Sequence, residues 1–182
     1  PGVSFIRWHI NAFFMVFTFS SSTSSAKSQK QSVKPMLSVS LRSVKSSYSI
    51  KENISLEIQL ENVGTESLLV CRKWGWGVGR MDVRVFDSKG KEVFTTNLAD
   101  EIPPPLREKD FIELREGDFF GIRLSEDATH FVNTPGTYDF FVDYTSIVTE
   151  EWVRKLKLPP LPLWSRERGR IVSNKVKIEV TQ

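Results

Sequence analysis

"ISLEIQLE", residues 54–61, decides the fold. Ile54, Leu56, Ile58 and Leu60 alternate strictly with Ser55, Glu57, Gln59 and Glu61. Successive side chains of a strand point to opposite faces, so this segment buries one face and wets the other. A helix would scatter the same four apolar residues around its circumference. The same period runs outward in both directions. Leu37, Val39 and Leu41 precede it; Met81, Val83 and Val85 come after, then "KEVFTT" at 91–96. Phe120, Ile122 and Leu124 make another row, then Tyr138, Phe140, Val142 and Tyr144, and finally Val172, Val176, Ile178 and Val180. Almost no helical pattern intervenes, so the sequence predicts an all-β fold, an antiparallel β-sandwich of about seven to eight strands.

The breaks between rows agree. "DSKGK" (87–91), "ENVGTES" (61–67) and "LREGDF" (114–119) carry Gly90, Gly64 and Gly117, and glycine admits the positive φ that hairpin loops use. Pro135-Gly136 stands just ahead of the row that starts at Tyr138. Two connections are longer than a sandwich needs: "NLADEIPPPLREKD" (97–110) and "IVTEEWVRKLKLPPLPLWSRERG" (147–169). Loops of that length in a compact domain are often functional.

Outside this body the chain reads differently. "INAFFMVFTF" (10–19) is an apolar run behind "FIRWH", and "SSSTSSA" comes next, ending at Ala26. That is the grammar of a secretory leader over 1–26, which implies a secreted or periplasmic protein. The run is too short for a stable membrane span, which needs about 18 residues or more. Residues 27–36 then read as a polar linker ahead of one domain, 37–182.

Charge excludes one class of partner. Residues 1–36 hold four bases (Arg7, Lys27, Lys30, Lys34) and no acid, so of 25 bases and 22 acids the body keeps 21 against 22, about −1. A nucleic-acid binder concentrates positive charge on its folded body. No nucleic-acid partner is expected.

The single cysteine, Cys71, forms no internal disulfide and lies in the apolar stretch "SLLVCRKW", as a small buried hydrophobe would. Directly after it, Gly75, Gly77 and Gly79 alternate with Trp76 and Val78. A dinucleotide loop would need a helix next, whereas the adjoining segment "RMDVRVFD" is a strand. Two readings remain: a bend between sheets capped by Trp74 or Trp76, or an exposed aromatic platform for sugar or peptide.

Three phrases carry a resemblance: "ISLEIQLENVGTESLLV", "MDVRVFDSKGKEVF" and "FIELREGDFFGIRL". With Asn62, Val83, Val85, Asp87, Gly90, Lys91, Val93, Leu114 and Gly117 at the matching positions, they resemble a bacterial immunoglobulin-like domain. In particular they are similar to the bacterial intracellular proteinase inhibitor family. The resemblance covers about 37–145 and the last strand. It implies an immunoglobulin-like sandwich and protein or peptide binding without catalysis, and it carries over no inhibitory residue. The leader and the 147–169 insertion depart from that family.

Catalytic and metal chemistry find little support. The body has one histidine, His130, and nothing sets a nucleophile beside it. Zinc or copper sites gather several His and Cys, so no metal and no cofactor are expected. Carboxylates are plentiful, but no motif isolates a pair for hydrolysis, so a small hydrolase ranks third among the readings.

The long loops supply the functional asymmetry. Residues 100–127 carry nine acids against four bases, whereas 152–170 carry Arg154, Lys155, Lys157, Arg166, Arg168 and Arg170 against Glu167 alone. Between those bases "LKLPPLPLW" favours extended geometry and cannot join the middle of a sheet. Trp152 and Trp164 flank it, and with Pro159 and Pro160 they are expected to be exposed. The basic loop could grip an acidic protein surface or an anionic polymer, or it folds back on the acidic loop of its own domain or is merely a solvated excursion.

The sequence thus points to a non-catalytic secreted module that binds another protein through exposed loops, with a proteinase inhibitor as its finer form. The binding residues expected are Trp152, Arg154, Lys155, Lys157, Pro159, Pro160, Trp164, Arg166 and Arg168. The alternative is an accessory domain that binds a carbohydrate or wall polymer through Trp74 and Trp76.

Overall fold

A computed structural model of the chain describes residues 36–73, 79–95 and 105–182. Strand β1 (Leu37–Ser43) pairs antiparallel with β3 (Asn53–Asn62), which pairs antiparallel with β8 (Phe119–Asp127). The facing sheet runs in the order β2 (Ser47–Ser49), β11 (Val176–Thr181), β9 (Gly136–Ser146), β5 (Gly79–Asp87), β6 (Glu92–Thr95). Strand β10 (Arg170–Val172) also pairs with β9, and a two-stranded ribbon joins β4 (Leu68–Cys71) to β7 (Phe111–Leu114). Among the described strands every pairing is antiparallel except that of β2 with β11.

The alternation read from 54–61 is the core of the molecule. Ile54, Leu56, Ile58 and Leu60 are all buried, and across the sandwich they meet Val83, Val85, Phe140, Val142 and Tyr144. An all-β sandwich results, and its strand order is that of an immunoglobulin-like fold. A feature of that fold recurs at the corner between β8 and β9. There a single helical turn, α1 (Ala128–Phe131), leads into Tyr138, whose hydroxyl donates to the Thr134 carbonyl at 2.7 Å. His130 lies in this turn with its ring against Phe94 and Phe131.

Two of the expected rows are corrected. Val172 is 53% exposed, because the last row breaks between β10 and β11. Ser173 there both donates to and accepts from the Val142 backbone, and the phase shifts so that Ile171 turns inward and Val172 out. In the same break Asn174 holds both the N–H and the carbonyl of Leu41, each at 2.9 Å, which ties this edge to β1. On β8, Phe120 and Leu124 pack on the core, but Ile122 is 37% exposed, since β8 is the edge of a three-stranded sheet.

Asn62, at the end of β3, is fully buried. Its amide donates to the carbonyls of Glu66 and Leu114, and its oxygen accepts from Gly64 N–H. Gly117, at φ 77°, donates its own N–H to the Asn62 carbonyl. The β4–β7 ribbon is thereby fixed to the sandwich, and the ribbon in turn carries the insertion.

Candidate functional site

The 147–169 insertion folds against the ribbon. Thr149 caps a short helical turn, α2 (Glu150–Val153), its hydroxyl accepting from Trp152 N–H at 3.3 Å. Beyond it the chain runs extended, and Leu163 pairs with Leu69 as a parallel bridge. Leu69 N–H donates to the Pro162 carbonyl and Trp164 N–H to the Leu69 carbonyl, both at 2.8 Å. The proline-rich segment therefore does reach a sheet, at the edge, where a missing N–H costs nothing. Arg166 N–H to the Val148 carbonyl, 2.8 Å, closes the base.

Alternating leucines explain why it stays there. Leu69, Cys71, Phe111, Val148 and Leu163 form a second apolar cluster, and Val153, Leu156, Leu158 and Leu161 pack on its margin. Burial pushes the Cys71 thiol above its ordinary value, which fits a structural cysteine. The bases that alternate with those leucines face the other way. Arg154, Lys155, Lys157, Pro159, Pro160, Arg166 and Arg168 are all exposed. Of the expectations for this loop, the fold-back on the acidic loop is the one seen here. Its backbone folds back, with Lys157 N–H on the Glu108 carboxylate at 2.9 Å, while its charges stay in solvent.

Trp164 is a correction. It is only 6% exposed and belongs to the main core, so its ring is not offered to a partner. The backbone pairing at 162–164 dictates this, because it turns the indole inward as Leu163 seats in the second cluster. Trp152, by contrast, is 47% exposed. Trp74 and Trp76, the basis of the alternative reading, lie outside the described residues.

Sequence reasoning missed a second feature. Register places Asp82 of β5 directly opposite Asp143 of β9 on the outer face of the large sheet. They floor a cleft of about 510 Å³. Trp152, Ile147, Arg166 and Arg170 form its walls. Asp143 is 5% exposed, and its Oδ2 receives Arg170 at 2.5 Å and, more distantly, Arg84 at 3.7 Å. Its Oδ1 is buried without a hydrogen-bond partner. Arg84 also makes a two-pronged pairing with Glu92 at 2.6 and 3.1 Å. The signal was available: Asp82 and Asp143 fall on the polar phase of their strands, but only strand pairing puts them opposite one another. Among the described residues no group of three or more His, Cys, Asp or Glu could hold a metal ion. No described helix is long and apolar enough to cross a membrane.

Just beyond the end of the β4–β7 ribbon, Asp110 pairs with Lys73 at 3.0 Å and accepts from Arg107 N–H at 2.8 Å. Burial works to raise its carboxyl, but these two donors outweigh it and bring the group below its ordinary value.

No family model matches the sequence, and no curated protein matches it. Solved structures do match at low identity. One is the CARDB domain of a Pyrococcus furiosus protein in complex with di-metal ions, at 12% identity and TM-score 0.38, covering 81% of this chain and 94% of that one. Another is a β-glucosidase from Listeria innocua in complex with isofagomine, at 14% identity and TM-score 0.39. The match covers 81% of this chain but only 16% of the glucosidase. Likenesses this loose add nothing to the strand order and the tyrosine corner, on which the fold assignment rests.

Proposed function

We propose that the chain is a non-catalytic module that captures another protein through the cationic face of the 147–169 insertion. One observation carries this reading: the leucines of the segment are anchored on the β4–β7 ribbon while Arg154, Lys155, Lys157, Arg166 and Arg168 all stay exposed. A binding surface formed in advance loses little conformational freedom on association. Its charge selects an acidic partner and speeds the encounter. The leader-like segment at 1–26 supports a secreted or periplasmic setting.

The non-catalytic reading draws support from the cleft as well. Asp143 is engaged as an ion-pair partner of Arg170 and Arg84, whereas glycoside hydrolysis needs one carboxyl that delivers a proton. Proteinase inhibition is the finer form, supported by the family resemblance around Asn62, Asp87 and Gly117. The test is titration of the chain against a panel of serine and cysteine endopeptidases. Loss of protease activity at near-stoichiometric dose, abolished by Arg154→Glu/Lys155→Glu/Lys157→Glu, is the expected result. Undiminished activity across the panel would remove the inhibitor reading.

A further inference from the structure

We propose, building on the protein-binding reading, that the insertion takes an acidic peptide segment of its partner, anchored by one large apolar side chain in a leucine-lined cleft. Residues of α2 and of the proline-rich segment line this cleft, which has a volume of about 320 Å³. Buried Leu69 and Leu163 and half-buried Val153, Leu156, Leu158 and Leu161 supply its apolar lining. The four half-buried side chains pack on the second cluster but keep part of their surface in water. An apolar side chain seated there removes that surface from water together with its own, and pocketed anchors of this kind dominate the energy of an interface. The volume lies at the small end of the usual range for ligand sites, about 300–1,000 Å³, which suits a single leucine or phenylalanine side chain.

Charge sets the rest of the occupant. Arg154 and Arg168 line the same cleft against one carboxylate, Glu150, while Glu151 and Glu167 are exposed but do not line it. Among the described residues neither arginine makes an ion pair, whereas Arg84, Arg123 and Arg170 each have a carboxylate partner. The two guanidiniums are therefore available to carboxylates of a partner, which such a group binds in a planar two-pronged fork. Lys155 and Lys157, exposed in the same segment, extend the positive field beyond the cleft. A cationic segment would be repelled by that field. A neutral apolar one would strip water from the guanidiniums and return nothing. A leucine or phenylalanine flanked by carboxylates meets both parts of the lining.

Fluorescence anisotropy tests this on the full chain with labelled, end-capped peptides. The lead probe has a central leucine between two triplets of glutamate; the comparators place alanine at the centre, or glutamine in the triplets. The leucine probe should bind with a Kd below about 100 µM, about tenfold or more tighter than either comparator. Arg154→Ala/Arg168→Ala should weaken it about tenfold or more. Leu156→Ser should abolish the preference for leucine over alanine while leaving the affinity for the alanine peptide unchanged, and circular dichroism checks that this variant folds. Should it not fold, the leucine-to-alanine ratio of the unaltered chain carries the test. Equal affinity for the leucine and alanine peptides would overturn the cleft as an anchor site and leave capture by charge alone standing. A glutamine peptide that binds as tightly as the lead probe would overturn the acidic occupant. Absence of binding by every glutamate peptide up to about 1 mM would overturn this proposal together with the cationic face on which it rests.

Discussion

Leu163→Ala tests whether the insertion is held by its own apolar contacts. Leu163 is 8% exposed and sits in the second cluster with Leu69 and Phe111. The substitution deletes three carbons, and at about 0.8 kcal/mol per buried carbon the lost transfer energy is about 2.4 kcal/mol. Cavity cost adds to this, since Pro162 and Trp164 are fixed by their bonds to Leu69 and cannot close the gap, which brings the total to about 3 kcal/mol. With a urea slope of about 2 kcal/mol/M, the unfolding midpoint should fall by about 1.5 M. Limited trypsin digestion supplies a local readout. Arg154, Lys155 and Lys157 should be cut faster in the variant, because opening the cluster releases the backbone that carries them. A loss below about 0.5 kcal/mol with unchanged cleavage would refute the reasoning, because surface substitutions lie in that range.

Three buried groups give further outcomes. Asn62→Ala leaves Gly64 N–H and the carbonyls of Glu66 and Leu114 without their partner, so denaturant unfolding should show a loss of about 3 kcal/mol. Cys71, with its thiol raised by burial, should stay unreactive toward a disulfide reagent at neutral pH and become reactive on unfolding. Asp110 has a folded carboxyl below its ordinary value, so its contribution is complete above about pH 4 and is lost as pH falls through the lower folded value. Asp110→Asn should flatten that acid limb of the stability curve and lower stability at neutral pH.

The fold was legible wherever one face of a strand is buried and the other wet. The row 54–60 is the clearest case, and its period of two leaves a single side to bury. Val172 misled because a register break turns a continuous alternation out of phase, and nothing in "RIVSNKV" marks that break beyond Ser173 and Asn174. The ribbon strands β4 and β7 are only four residues long, too short for a period to show. At the site, composition revealed the basic insertion, and its bases do face solvent. The inward turn of Trp164 was not visible, since it depends on a backbone pairing with Leu69 far away in sequence. The Asp82–Asp143 floor was hidden for the same reason. Residues that meet only through strand register leave no spacing to read.

The most direct measurement is fluorescence anisotropy of a labelled poly-L-glutamate chain titrated with the protein at low and at physiological salt. The body carries almost no net charge, so tight binding requires that the cations be gathered on one face. Arg154→Glu/Lys155→Glu/Lys157→Glu is compared with a control of equal charge change outside the insertion, Lys45→Glu/Lys89→Glu/Lys91→Glu. Salt-sensitive binding that survives in the control and disappears in the insertion variant is the expected result. Equal weakening in both variants would show that only net charge matters, and would contradict the insertion as the binding face.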